Sequence, residues 1–168
     1  MISIIIPTLN EELWIEKCLK SVIKFTLPED QDSEILVVDG NSLDRTVEIA
    51  EKLAIENSAI TVLNNPKIIQ SAALNIGLKH SRGDWILRLD AHSIYPENYL
   101  QLCYETAKET KAQNVGGLFI AKLGGDNYQA HMVQALTTHK FGVGDASYRT
   151  SMVAGEADTV PYGFFKKD

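Results

Sequence analysis

With 168 residues, 45% of them hydrophobic and 23% charged, the chain can build one well-cored domain and is too ordinary in composition for disorder. A formal net charge of -6 excludes a protein that grips nucleic acid or an anionic membrane by bulk charge, so any phosphate must be held locally, by backbone, a cation or a few placed side chains. No apolar run reaches the roughly 18 residues of a membrane span and no signal peptide precedes the first strand. The expectation is a cytoplasmic protein with no membrane span within this chain, lying at the cytoplasmic face of the membrane if the natural chain is longer.

In chain order, Ile2 to Ile6 is an almost wholly apolar run closed by Pro7, which predicts a parallel strand buried on both faces. Thr8 to Glu12 lead into a helix whose apolar positions Leu13, Ile15, Cys18, Leu19, Val22 and Ile23 recur at three and four, with acids in the first turn to suit the helix dipole. Ile35 to Val38 form a second buried strand ending at Asp39 and Gly40. The next helix has Ser42 or Asp44 as its cap and Val47, Ala50, Leu53 and Ala54 as its stripe. Ile60 to Leu63 is a third strand, and a helix through Ala72, Ala73, Ile76 and Gly77 runs to about His80. WILRLDAH, Trp85 to His92, is a fourth strand that breaks into polar residues, and Pro96 to about Thr110 is helical.

Beyond that point the signals weaken. Val115 to Lys122, started by Asn114, is read as a strand against the glycines Gly116 and Gly117. Tyr128 to about Phe141 has helical spacing, and FGVGDASYR reads as a Gly-containing loop. Cys18 and Cys103 sit beside apolar neighbours as small core residues of a reducing compartment. The fourfold alternation of strand and helix points to an α/β fold, an open, mostly parallel sheet with right-handed crossovers.

Three polar clusters follow three strands, TLNEE, DGNSLD and DAHS, and a parallel sheet puts them on one edge, where such folds bind ligands. Asp39 can accept from hydroxyl or ring N–H groups of a nucleoside, or close an Asx turn before Gly40. Asp90 and His92 can turn toward one ion if the chain there is extended, since side chains at i and i+2 share a face; the plainer reading is a turn and the start of a helix. PTLNEE after the first strand is neither a dinucleotide fingerprint nor a P-loop, and its acidity argues against a nucleotidyltransferase. Asn41 stands where an aspartyl phosphatase places its second acid.

The series IIIPTLNEE, ILVVDGNSLDRT and AALNIGLKHSRGDWILRLDAH resembles the nucleotide-binding half of family 2 glycosyltransferases with the GT-A fold, a Rossmann-like open sheet with helices on both faces. THKFGVGDASYR and DTVPYGFFKK resemble, more loosely, bacterial exopolysaccharide members of the succinoglycan type. The resemblance implies that Pro7, Thr8, Asn10 and Glu11 line a nucleoside pocket and that Asp39 meets the base, usually uracil. It also puts Asp90 and His92 at the family's Asp-x-Asp metal motif, with His92 in place of the second acid and Asp90 counted among the nucleotide-binding residues. Polypeptide N-acetylgalactosaminyltransferases carry a similar Asp-x-His, and imidazole suits manganese-class metals.

The implied cofactor is a divalent metal, Mn2+ or Mg2+, and the implied partners are a nucleoside diphosphate sugar donor and a saccharide or lipid-linked saccharide acceptor. The implied reaction is inverting sugar transfer in polysaccharide biosynthesis; the alternative is a non-catalytic nucleotide-sugar binding module. Residues 1–168 are expected to be the nucleotide-sugar-binding, N-terminal part of a longer catalytic domain. Glu156 and Asp158 are read as loop acids, so no general base is assigned and acceptor transfer by this chain alone is expected to be poor. The run from Val160 to Phe165 is expected to expose apolar side chains.

Overall fold

The computed structural model describes residues 1–123, 125–144, 146–150, 154–157 and 159–167. They fall into two compact units, Met1–Val115 with Tyr162–Asp168, and Gly116–Pro161.

The first unit holds a six-stranded sheet built from β1 (Ile2–Thr8), β2 (Ser33–Asp39), β3 (Ile60–Asn64), β4 (Trp85–Arg88), β5 (Asn114–Val115) and β6 (Phe164–Lys166), in the order β3-β2-β1-β4-β6-β5. The first four strands are parallel, while β6 runs antiparallel to both β4 and β5. Its helices are α1 (Ile15–Val22), α2 (Thr46–Glu56), α3 (Gln70–His80) and α4 (Tyr99–Thr110). Strand order grows outward from β1 to β3 and then jumps back across β1 to β4. With right-handed crossovers, that reversal puts α3 on the face opposite α1 and α2.

Burial on both faces explains the apolar runs. Ile5, Leu36, Val38 and Ile86 form one side of the sheet with Ala73 of α3, and a Cβ on Gly77 would come within 2.5 Å of the Ile5 side chain, so only glycine lets α3 lie this close. Ile4, Ile6, Val37 and Leu87 alternate to the other side and are buried too. The expected open, mostly parallel sheet is therefore present.

Several local expectations need correction. Helix α1 starts at Ile15; Leu13 is 75% exposed and plays no part in the core. Helix α2 has Arg45 at its N-cap position, and of the two expected caps it is Asp44 that serves, its Oδ1 accepting from Thr46 N–H, the first of the helix, at 3.0 Å. The strand expected over 115–122 shrinks to Asn114–Val115, because the chain leaves the sheet at Gly116, whose missing Cβ lets it lie against the Pro161 carbonyl. In place of exposed apolar residues after Val160, Phe164 is fully buried, stacked on Trp85 with ring centroids 5.0 Å apart. Tyr162 is buried as well, and it holds a left-handed φ of 50° two residues before β6.

The second unit contains α5 (Tyr128–Thr138), α6 (Lys140–Val143) and α7 (Ser147–Thr150). Helix α5 is capped by Asn127, whose Oδ1 accepts from Ala130 N–H at 2.8 Å, and it ends at Thr138 because His139 is extended, short of the expected Phe141. The expected loop at FGVGDASYR contains the two short turns α6 and α7. Phe119 N–H donates to the Tyr148 carbonyl at 2.8 Å, and the Arg149 guanidinium lies 4.4 Å from the Phe119 ring centroid.

Candidate functional site

Strand order reverses between β1 and β4, and the loops that follow β1, β2 and β4 share the carboxyl edge of the sheet there, the place where such folds bind ligands. Thr8 and Asp39 end their strands as a register pair, and Thr8 Oγ1 donates to Asp39 Oδ1 at 3.0 Å. Asp39 then closes an Asx turn: Ser42 N–H donates to Oδ2 at 2.8 Å and Ser42 Oγ to Oδ1 at 2.5 Å. Gly40 fits beneath this turn because a Cβ there would stand 3.0 Å from the Ile68 carbonyl oxygen.

The loop after β1 is laced to the loop after β2. Asn10, at a φ of 55° that asparagine tolerates, donates its N–H to Ser42 Oγ at 2.8 Å and accepts from Leu43 N–H at 2.8 Å. Glu11 N–H donates to Thr46 Oγ1 at 2.7 Å, Glu12 N–H to Asp44 Oδ2 at 3.0 Å, and Arg45 N–H to Glu12 Oε2 at 3.1 Å. Burial pushes the Asp44 carboxyl up, but bonds from the Thr46 hydroxyl, from Thr46 N–H and from Glu12 N–H outweigh it and hold Asp44 below the usual aspartate range. Asp39 is only 4% exposed, and the network fixes its direction.

The end of β4 is built differently. Leu89 N–H still pairs with the Ile5 carbonyl at 3.0 Å, and the Asp90 peptide is then clamped by side chains. Tyr95 Oη accepts from Asp90 N–H at 2.9 Å and donates to the Asp90 carbonyl at 3.0 Å, and Cys18 Sγ donates to that carbonyl at 3.6 Å. Burial, then the Glu11 and Asp90 carboxylates, push the Cys18 thiol up to about 12, so it acts as a neutral donor. Burial likewise drives the Tyr95 phenol up.

Ala91 and His92 form a turn, so the extended geometry that would aim Asp90 and His92 along one face is not what the chain adopts. Asp90 Oδ1 pairs with Arg88 Nη2 at 3.1 Å, and His92 Nδ1 meets Glu11 Oε1 at 2.9 Å. Among the described residues, no three His, Cys, Asp or Glu side chains gather into a metal-holding group. Asp90 Oδ2 and His92 Nε2 make no bond among those residues. An Asp90 oxygen and a His92 imidazole nitrogen are ligand types that would suit a manganese-class ion, with a diphosphate and water supplying the rest.

The structure thus brings Pro7, Thr8, Asn10, Glu11 and Asp39 to one edge, with His92 joined to them through Glu11. Sequence reasoning missed Thr46, Tyr95, Arg88 and the tertiary role of Cys18, and it saw Ser42 and Asp44 only as caps. The TLNEE and DGNSLD spacing could have signalled reciprocal loop bonding; nothing in the sequence signals Tyr95. Glu156 is exposed in the second unit, and Asp158 lies outside the described residues.

A glycosyl transferase family 2 model matches residues 3–157. The succinoglycan biosynthesis protein ExoA of Rhizobium meliloti (strain 1021) is 34% identical over 157 residues, 92% of this chain and 46% of that protein. A dolichyl N-acetyl-alpha-D-glucosaminyl phosphate 3-beta-D-2,3-diacetamido-2,3-dideoxy-beta-D-glucuronosyltransferase of Methanococcus voltae is 32% identical over 98% of this chain and 52% of its own length. The chain spans about half the length of these curated relatives. Among solved structures, the mannosyltransferase PcManGT from Pyrobaculum calidifontis, in complex with GDP-Man and Mn2+, matches with a TM-score of 0.64 at 25% identity, over 70% of this chain and 35% of that one. TarS 1-349 of S. aureus, in complex with UDP, matches in fold with a TM-score of 0.61 at 23% identity, over 75% and 37%.

Proposed function

The chain belongs to glycosyl transferase family 2, and on that premise we propose that it is the nucleotide-sugar-binding, N-terminal part of a longer catalytic domain. Its fold is GT-A, and its relatives include proteins of polysaccharide biosynthesis. The proposed reaction is inverting, metal-dependent transfer of a sugar from a nucleoside diphosphate sugar, a UDP-sugar first, to a saccharide or lipid-linked saccharide acceptor. No described helix is long and apolar enough to cross a membrane.

The observation that carries this reading is the meeting of two kinds of groups at one sheet edge. The laced loops after β1 and β2 present Asp39 in a fixed direction, and the end of β4 presents Asp90 and His92 with a donor atom each to spare. In the proposed complex, Asp39 accepts from the base, Pro7, Thr8, Asn10 and Glu11 line the nucleoside, and Asp90 and His92 face the diphosphate. Glu11, Glu12, Asp39, Asp44 and Asp90 crowd this edge with carboxylates, and a bare diphosphate is repelled by them. Asp90 and His92 would hold the divalent ion, which would supply Lewis-acid stabilisation of the departing diphosphate when bound.

The test is thermal stability of the chain with UDP, other nucleoside diphosphates and Mn2+, each alone and combined. Ligand at a hundredfold over its dissociation constant adds about 2.7 kcal/mol, a rise of several degrees for a domain of this size. UDP with Mn2+ should give the largest rise. No rise with any nucleotide, with or without the ion, sinks the proposal.

A further inference from the structure

We propose that Arg88 is a positioning residue that holds the Asp90 carboxylate in the ligand-free protein, so that the divalent ion binds together with the diphosphate instead of ahead of it. This rests on the reading of Asp90 as a metal ligand given above.

Arg88 is anchored in the sheet. It lies in register with Ile5, and its N–H donates to the Gly163 carbonyl at 2.9 Å. Its guanidinium reaches Asp90 with a single bond, Nη2 to Oδ1 at 3.1 Å, while its Nε is buried without a partner among the described residues. A purely structural Arg–carboxylate pair at this depth gains most by a two-pronged fork, and an unused buried donor opposes stability. The pair is therefore one-armed, in a form that exchanges partners more readily than a fork does.

The surroundings restrict that exchange to the carboxylate. Tyr95 Oη holds both the N–H and the carbonyl of Asp90, and Cys18 Sγ holds the carbonyl again, so the Asp90 peptide stays fixed while its side chain changes partners. A guanidinium stays charged at every physiological pH. A free dication approaching Asp90 meets a neutralised carboxylate beside a fixed positive charge, and the two cations repel. The complex of the same ion with UDP carries net negative charge, so Arg88 attracts it. One side chain thus disfavours the free ion and favours the ion with its nucleotide, which is a positive coupling between the two ligands.

The experiment measures Mn2+ binding to the full 168-residue chain by electron paramagnetic resonance, with and without UDP. Arg88→Gln should bind Mn2+ alone about tenfold tighter, a change of about 1.4 kcal/mol, and the factor by which UDP strengthens Mn2+ binding should shrink correspondingly. Arg88→Lys, which keeps the charge, should stay close to the native chain. In an Asp90→Asn background, Arg88→Gln should change Mn2+ affinity little, because the effect runs through Asp90. A general loss of positive charge would tighten Mn2+ binding in the Asp90→Asn background as well, so a tenfold gain there would overturn the role of Arg88. If Arg88→Gln loosens the strand, Arg88→Met keeps the buried stem and repeats the measurement.

Unchanged or weaker binding of Mn2+ alone to the variants, beside intact UDP–Mn2+ synergy in the native chain, overturns the role of Arg88 and leaves the site reading standing. Absence of that synergy in the native chain overturns both.

Discussion

Above β1 and β2, side chains are committed to each other: Asp39 to Thr8 and Ser42, Asn10 to Leu43, Asp44 to Thr46 and Glu12. Above β4, the Asp90 and His92 side chains hold one partner each among the described residues, Arg88 and Glu11, although the peptide beneath Asp90 is clamped by Tyr95 and Cys18. The difference separates two ways of making a binding edge. A closed network fixes direction before the ligand arrives and limits the ordering cost of binding. A fixed backbone with loosely held side chains lets the ligand itself replace the resting contacts.

The contrast can be broken by mutation, with stability as the common scale. The largest effect is expected at Asp39→Ala, which strands the Thr8 and Ser42 donors in a nearly buried position and should cost about 3 kcal/mol. On the proposed reading it also lowers UDP affinity while leaving Mn2+–pyrophosphate binding nearly unchanged. Denaturant melts and calorimetry read both, and equal loss for the two ligands would reduce Asp39 to a turn residue.

Tyr95→Phe comes next. It keeps the ring packed among Phe25, Tyr99 and Tyr162 but removes the hydroxyl that serves both backbone groups of Asp90, for an expected cost of about 1 kcal/mol. Hydrogen exchange should show faster opening at Asp90 and little change at Ser42. Equal loosening at both places would mean that the two edges are one cooperative unit.

His92→Ala should fall within about 0.5 kcal/mol of native stability, since the ring is 58% exposed and makes one bond. Mn2+-dependent UDP binding should nevertheless weaken; if titration calorimetry finds it intact, His92 is no ligand. The smallest effect concerns pH. Asp44 titrates below the usual aspartate range when folded, so its share of stability is present above about pH 4, the unfolded value, and is lost as pH falls through the lower folded one. The stability gap between the native chain and Asp44→Asn should narrow over that acid window. A gap that is flat with pH would show that the Asp44 charge contributes nothing to the network.

What the sequence revealed follows from the same physics. Strands β1 and β2 are buried on both faces, which demands apolar runs such as III at residues 4–6 and ILVV at 35–38, and such runs can be read directly. The polar ends of those strands were legible because parallel topology alone puts them on one edge. Strand β6 was not legible: it is three residues, FFK, just past a left-handed φ at Tyr162, and no periodicity fits in three positions. The clamp on Asp90 was hidden for another reason, since Cys18 is 72 residues away and its apolar neighbours mark it only as core. The turn at Ala91 and His92 was open to the sequence as the plainer reading of DAH, whereas the clamp beneath it was not.

Strand β6 has a consequence for how the chain is made. Strand β4 gains its second neighbour only when residues 164–166 have left the ribosome, about 76 residues after Arg88 (164 minus 88). At roughly 5 to 20 residues per second, translation leaves the unpaired edge of Trp85, Ile86 and Leu87 open for about 4 to 15 seconds. An apolar strand edge that long exposed is a template for pairing with a neighbouring nascent chain. On a crowded polysome, the segment that carries the Asp90 end of the site is the one in most need of a chaperone's cover.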